Sequence, residues 1–353
     1  MSKKALLHGG SMSAETFMQQ PPEWKSNILG ALRFAKNISS MHMANTPCAH
    51  VSMQNLGSDD AVYEVWHGAE AMGQGESGKI HYQHDGDVLF GVIALSESDF
   101  EASMGKTPLQ QATEFAYCEI FALLETLQYP HLFRFWNYIA DINGVSQGSE
   151  RYWQFNIGRH DAFIANKRAV VGSAPAACAL GSHGAETNQT TLTIAFMAGL
   201  AKTVAIENPR QISAYQYPKQ YGPISPTFSR AALVNLKQSE LLLISGTASI
   251  VGHATQHESD ITVQTHETMV NIEAILGEAN RLADKSEFSL LDLHYRVYVR
   301  YPESLIQIQA EMTRYLGQPA NAVYLQADIC RQDLLLEIEA SIECSSSSEE
   351  IKG

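Results

Sequence analysis

Basic residues are scarce in this 353-residue chain: 24 Lys and Arg stand against 38 Asp and Glu, for a formal net charge of −14. So acidic a chain lacks the positive face that general nucleic-acid binding requires. Any anionic ligand must be met by a local group of arginines working against the global field. Cysteines are few and scattered. Cys48, Cys118, Cys178, Cys330 and Cys344 form no C-x-x-C pair, and their odd number suits a reduced cytoplasmic protein better than a disulfide framework. Nothing approaches the roughly 20 apolar residues of a membrane span. The start, Met1-Ser-Lys-Lys-Ala-Leu-Leu7, has too short an apolar run for a signal peptide. No G-x-G-x-x-G opens a helix, and there is no P-loop and no G-x-S-x-G elbow, which disfavours a nucleotide cofactor and a serine hydrolase.

What is present is a chain able to fold. Apolar residues make up 45% and charged residues 18%, enough for a sizeable core, and the length is a prior for two domains. Residues 1–105 are mixed, with Asp87–Leu95 reading as a buried strand. Residues 109–128 read as a helix with Phe115, Cys118, Phe121, Ala122 and Leu124 on its apolar stripe, stopped by Pro130. The aromatic blocks 131–143 and 150–163 both read as helices, with the glycine turn between them as a domain boundary. Strands follow over 169–206, punctuated by glycines. The last third reads strand (240–252), helix (264–284), strand (291–301), helix (303–316) and two strands, with both helices expected on one side of the sheet.

Those two final strands read as a hairpin, Val323–Arg331 and Leu334–Ile342, turning at Gln332-Asp333. Side-chain alternation puts Leu334, Leu336 and Ile338 on one face and Leu335, Glu337 and Glu339 on the other. A glutamate in such a strand either faces solvent or sits on the floor of a cleft, where burial makes it a proton donor. Its partners would be arginines and tyrosines. Arg151 and Arg159 are costly to bury without an anion. The loop Ser213–Arg230 carries Tyr215, Tyr217, Tyr221, Lys219 and Arg230, and three prolines forbid regular structure there. That loop suits a grip on a small polyanion with an apolar ring, or is a surface loop with structural tyrosines. Arg296, Tyr298 and Arg300 share one strand face. His253 and His257 have the spacing of two metal ligands on one helical face, with His266 nearby, but they follow Gly252 in a strand-to-helix loop, so no metal site is assigned. The combination suits cofactor-free acid/base chemistry on a small carboxylate.

The last third resembles the RidA/YjgF fold, through Ile244-Ser-Gly246, the helix containing Asn271, Tyr298-Val and Leu336-Glu337-Ile-Glu339-Ala340 in that order. Glu150–Arg159, Ala214–Pro218, Tyr221–Arg230, Gly246–Gly252 and Ala327–Arg331 together resemble the chorismatases, over residues 131–343. The resemblance implies an α+β fold: a RidA/YjgF-like mixed sheet with helices on one face over residues 146–343, a second, related α+β domain over 1–145, and a disordered tail over 344–353. It implies cleavage of chorismate to pyruvate and a cyclic carboxylic acid without a cofactor or metal. Glu337 would be the proton donor and acceptor. Arg159, Arg230 and one of Arg296 or Arg300 would hold the carboxylates, and Tyr152, Tyr215, Tyr221 and Cys330 would line the ring pocket. Gly246 resembles the hydroxybenzoate-forming members, which implies 3-hydroxybenzoate, with 4-hydroxybenzoate as a second product. Rival readings are hydrolysis to a dihydroxycyclohexadiene carboxylate, a catalytically silent ligand-binding protein, and a RidA-like imine deaminase. The last is weakened by Val323-Tyr-Leu325, which lacks that group's arginine. The expected partner is the small-molecule substrate, with no nucleic acid and no membrane, in a monomer or a RidA-like trimer.

Overall fold

A computed structural model describes residues 7–36, 46–68, 72–103, 105–182 and 191–345. The chain is α+β, with three mixed sheets gathered round one interior. The first sheet has the order His8–Ser13, Val62–His67, Ile28–Ala35, Cys48–Ser52. The middle sheet runs Ala176–Ser182, His131–Ala140, Leu192–Gly199, Val88–Leu95, Ile80–His84, Gly73–Ser77. The last runs Thr203–Ile206, Ala231–Asn235, Ser239–Thr247, Leu336–Ser345, His294–Val299, Ala322–Gln326. Their inner faces share a core that takes Leu32 and Trp66 from the first sheet, Phe90 and Trp136 from the middle one and Leu243, Tyr298 and Leu325 from the last.

Helices cover the outer faces of the two larger sheets. Pro108–Thr126 starts on a capping box: Gln110 N donates to Thr107 Oγ1 (3.3 Å) and Thr107 N donates to Gln110 Oε1 (2.8 Å). Its buried side is Leu109, Ala112, Ala116, Ile120 and Leu124, so Phe115 from the expected stripe is exposed. Arg151–Ala165 packs beside it. On the last sheet, Ile261–Leu282 and Leu305–Leu316 lie over Leu336, Ile338, Ala340 and Ile342. That placement fixes the parity of the Glu337 strand. Its aliphatic side chains point to the helices, so Glu337 and Glu339 point into the interior between the sheets.

Several expectations change. His131–Ala140 is a strand, buried from Phe133 onward between a parallel and an antiparallel neighbour. Burial on both faces erases the period-2 signal, and a short apolar run then reads equally well as helix. The middle sheet uses residues on both sides of 145, pairing His131–Ala140 with Ala176–Ser182 and Leu192–Gly199. The final hairpin does not form. His294–Val299 lies between the two strands, parallel to Ala322–Gln326 and antiparallel to Leu336–Ser345. Residues 327–335 are a loop, in which Leu334 joins the inner core and Leu335 the helix side, the reverse of the strand reading. Cys344 and Ser345 continue the last strand opposite Glu240 and Ser239, and the rest of the expected tail lies outside the described residues.

Candidate active site

A cleft of about 320 Å³ opens between the middle and last sheets. Small residues make room for it: Ala177, Cys178 and Ala179 from the first strand of the middle sheet, Gly246 and Ala248 from the last sheet. The seam beside it is tied by Ser245, whose Oγ accepts from Ala177 N (2.9 Å) and donates to Ser229 O (2.6 Å).

Glu337 stands in this cleft, only 4% exposed. No guanidinium pairs with it among the described residues; the Cys330 thiol lies 3.9 Å from Oε2. Burial first, and the neighbouring Glu339 second, push its pKa up to about 8. That shift favours its protonated form at neutral pH. The backbone opposite is shaped to it. Between Ile244↔Ala340 and Thr247↔Ile338 the register shifts, so that Ser245 and Gly246 together oppose Glu339 in a β-bulge. A Cβ at position 246 would fall 2.6 Å from the Glu337 carboxyl carbon, inside any tolerable contact. The absence of a side chain at Gly246 therefore lets the carboxyl occupy its place.

Three arginines line the cleft, none with a carboxylate at ion-pair distance among the described residues. Arg159 is buried on the Arg151–Ala165 helix; its Nη2 donates to Asn156 Oδ1 (2.7 Å), while its Nε has no partner. Arg230 donates from Nη2 to Ile212 O (2.9 Å) and the Tyr217 hydroxyl (2.7 Å), again leaving Nε without one. The third is Arg331. Its guanidinium carbon stacks 3.8 Å from the Tyr221 ring centre, its Nη1 donates to His253 O (2.9 Å), and its Nη2 is unpartnered. Buried cations without anions are expensive, so this set asks for an anionic ligand. Trp153 and Phe228 add apolar wall, and Tyr152 a hydroxyl whose pKa burial raises.

The structure thus brings together Glu337, Tyr152, Arg159, Tyr221, Arg230, Gly246 and Cys330 in one cleft. Three expected residues are elsewhere. Tyr215 does not line the cleft; Tyr217 does, because the intervening turn Ala214–Gln216 is 3-10 rather than extended. Arg296 is spent on Glu64 and Glu339 in a separate buried cluster. Arg300 pairs with Asp328 (2.7 Å) and donates to the carbonyls of Ile329, Arg331 and Leu334, so it shapes the 327–335 loop without reaching the cleft. Missed from sequence were Arg331, Glu150, Trp153, Phe228 and Cys178, while Tyr217 stood among the loop tyrosines without being assigned to the ring pocket. Of the histidines, His253 meets the Tyr221 hydroxyl (3.3 Å), His257 faces Glu267 (3.7 Å) and His266 faces Glu311 (3.0 Å), three separate places.

Comparison with known proteins bears on this geometry. Residues 64–198 match the family model "Chorismatase FkbO/Hyg5-like, N-terminal". A 3-hydroxybenzoate synthase of Streptomyces hygroscopicus is 35% identical over 294 residues, covering 79% of this chain and 81% of that protein. A chorismatase of Streptomyces rapamycinicus is 36% identical over 297 residues, 80% of this chain and 83% of its own length. The crystal structure of a chorismatase superposes with a TM-score of 0.82 at 29% identity, over 97% of this chain and 99% of the other.

Proposed function

The chain belongs to the chorismatase family, and from that premise we propose that it cleaves chorismate to 3-hydroxybenzoate and pyruvate, with Glu337 as the acid. The observation that carries this reading is a buried carboxyl with no paired cation, in the same cleft as three arginines that have no carboxylate at ion-pair distance among the described residues. Chorismate supplies what the cleft lacks: two carboxylates on a ring-sized apolar body. Arg159, Arg230 and Arg331 are the groups available to hold them, by charge-assisted hydrogen bonds from the free nitrogens.

Glu337 protonates the enolpyruvyl methylene, and the ether carbon becomes an oxocarbenium ion. The carboxylate left behind is then the base for the later proton transfer, so the residue ends as it began. Because Glu337 holds its proton up to about pH 8, it is charged with the reactive form at neutral pH. Chorismate equals hydroxybenzoate plus pyruvate in atoms, whereas the dihydroxycyclohexadiene product needs an added water. Gly246 favours the first outcome by its resemblance to the hydroxybenzoate-forming members; in the fold, its missing Cβ leaves the volume that the Glu337 carboxyl fills.

The test is incubation of the purified protein with chorismate, with products resolved by chromatography and pyruvate followed by a coupled reduction. 3-Hydroxybenzoate with an equal amount of pyruvate is expected, and 4-hydroxybenzoate as the minor product. A non-aromatic diol would make the enzyme a hydrolase. Unchanged chorismate would reduce it to a binding protein and end the proposal. Glu337→Gln should lower kcat about 10³-fold, the range for loss of a general acid.

A further inference from the structure

Two glutamates, Glu337 and Glu339, point into the same interior from alternate positions of one strand, each 4% exposed. Chemistry needs one of them protonated. Burial alone treats both alike, so something else must choose.

The choice is made by arginines. Arg134, on the central strand His131–Ala140 of the middle sheet, pairs with Glu339 Oε2 through Nη2 (2.7 Å). Its Nη1 donates to Ile244 O (2.6 Å), at the base of the bulge that presents Gly246. Arg296 is the cross-strand neighbour of Glu339 and reaches it through Nη1 (3.3 Å). The other side of Arg296 is closed by Glu64 from the first sheet. Two acids and two arginines balance, so no positive charge is left over for Glu337. The Tyr298 hydroxyl completes the cluster by donating to Glu339 Oε1 (2.8 Å).

We infer that Glu339, held by Arg134 and Arg296, is a positioning residue that keeps the proton on Glu337 rather than on itself. This rests on the reading of Glu337 as the acid. Every sheet contributes: Glu64 from the first, Arg134 from the middle, Arg296 and Glu339 from the last. The other groups facing Glu337 are the Cys330 and Cys178 thiols, the Tyr152 hydroxyl and Arg230, and the first three of these stay neutral because burial raises all of them. Around Glu339 and Glu64, burial likewise keeps Tyr138 and Tyr298 protonated and lowers His294, so none of them carries charge at neutral pH. The charged form of Glu339 is favoured, since its pKa falls despite burial because of Arg134 and then Arg296.

The experiment is kcat for pyruvate release against pH. Wild type should lose activity as pH rises through about 8, where Glu337 ionises. In Glu339→Gln the cluster has a surplus positive charge, so Glu337 gives up its proton sooner. The high-pH limb should move down by about one to two pH units, with activity recovering as the pH is lowered. In the double variant Glu339→Gln/Arg134→Met the surplus is gone, and the limb should return toward wild type. A purely structural role predicts the opposite, a double variant worse than the single. An unmoved limb in Glu339→Gln, or a double variant no closer to wild type, overturns the inference. Should the Glu339 variants not fold, carboxyl ¹³C titration of the labelled wild type and of Glu337→Gln decides. A glutamate titrating near pH 8 must vanish in Glu337→Gln, and its persistence there would overturn the assignment. Failure of wild type itself to act on chorismate would instead sink the functional reading and leave this titration as the test of the cluster.

Discussion

Arginines occur on both sides of the Glu337 strand in two different conditions. Toward the first sheet, Arg296 and Arg134 are buried against Glu64 and Glu339, and their charge is consumed inside the protein. Toward the Ser213–Arg230 loop, Arg159 and Arg230 are just as buried, and neither has a carboxylate at ion-pair distance among the described residues. The same side chain, equally hidden, is tied to a carboxylate in one region and has none at ion-pair distance in the other among the described residues. The difference teaches that burial of a cation carries no functional message by itself. The message lies in whether the protein supplies the counter-charge.

The comparison breaks most visibly at Arg296. Arg296→Met leaves Glu64 and part of Glu339 uncompensated, and should cost about 3–5 kcal/mol of stability in denaturant unfolding. An effect on the KM for chorismate with unchanged stability would show that Arg296 belongs with the ligand set after all.

Next in size is Glu337, a buried carboxyl with no guanidinium at ion-pair distance among the described residues. Its folded-state pKa of about 8 lies above the ordinary 4.5, so the folded protein holds the proton more tightly than the unfolded chain. Relative to a permanently neutral glutamine, the wild type therefore loses stability as pH rises from about 4.5 to about 8. Glu337→Gln should be more stable by about 3 kcal/mol at pH 7 and show no gain at pH 4. Thermal melts at both pH values would measure this, and a gain independent of pH would contradict the buried-acid assignment.

Arg159→Met and Arg230→Met should act the other way from Arg296→Met. Each removes charge-assisted bonds to substrate worth about 1.5–3 kcal/mol, a KM rise of about 10- to 100-fold, with little loss of stability. Calorimetry and steady-state kinetics separate the two. Arg331→Met should have the smallest effect, less than about tenfold in KM, because Arg331 is half-buried, less hidden than Arg159 and Arg230, and its charge is partly screened.

Much of this was legible in the chain. The long helices at 108–126 and 261–282 follow apolar periodicity with a cap at each start. The parity of the last strand, aliphatics on one face and acids on the other, was visible from alternation alone. What alternation could not say was which face meets water. Arg331 was missed because residues 327–335 read as strand ends, where neighbours point opposite ways. As a loop, Cys330, Arg331, Gln332, Asp333 and Leu334 all reach one cleft. Arg300, chosen for its place beside Arg296 on a strand, instead organises that loop.

By itself the sequence determined most elements, because these depend on local periodicity, while the α+β class, the candidate acid and the glycine opposite it came from motifs that resemble the chorismatases. Tertiary structure decided the rest: which strand lies beside which, that both glutamates are buried, and which arginines already own a carboxylate. Those are facts about partners far apart in the chain, such as Arg134 with Glu339 and Arg296 with Glu64. A side chain's charge is written in the sequence, but the group that neutralises it is chosen only when the sheets close on one another.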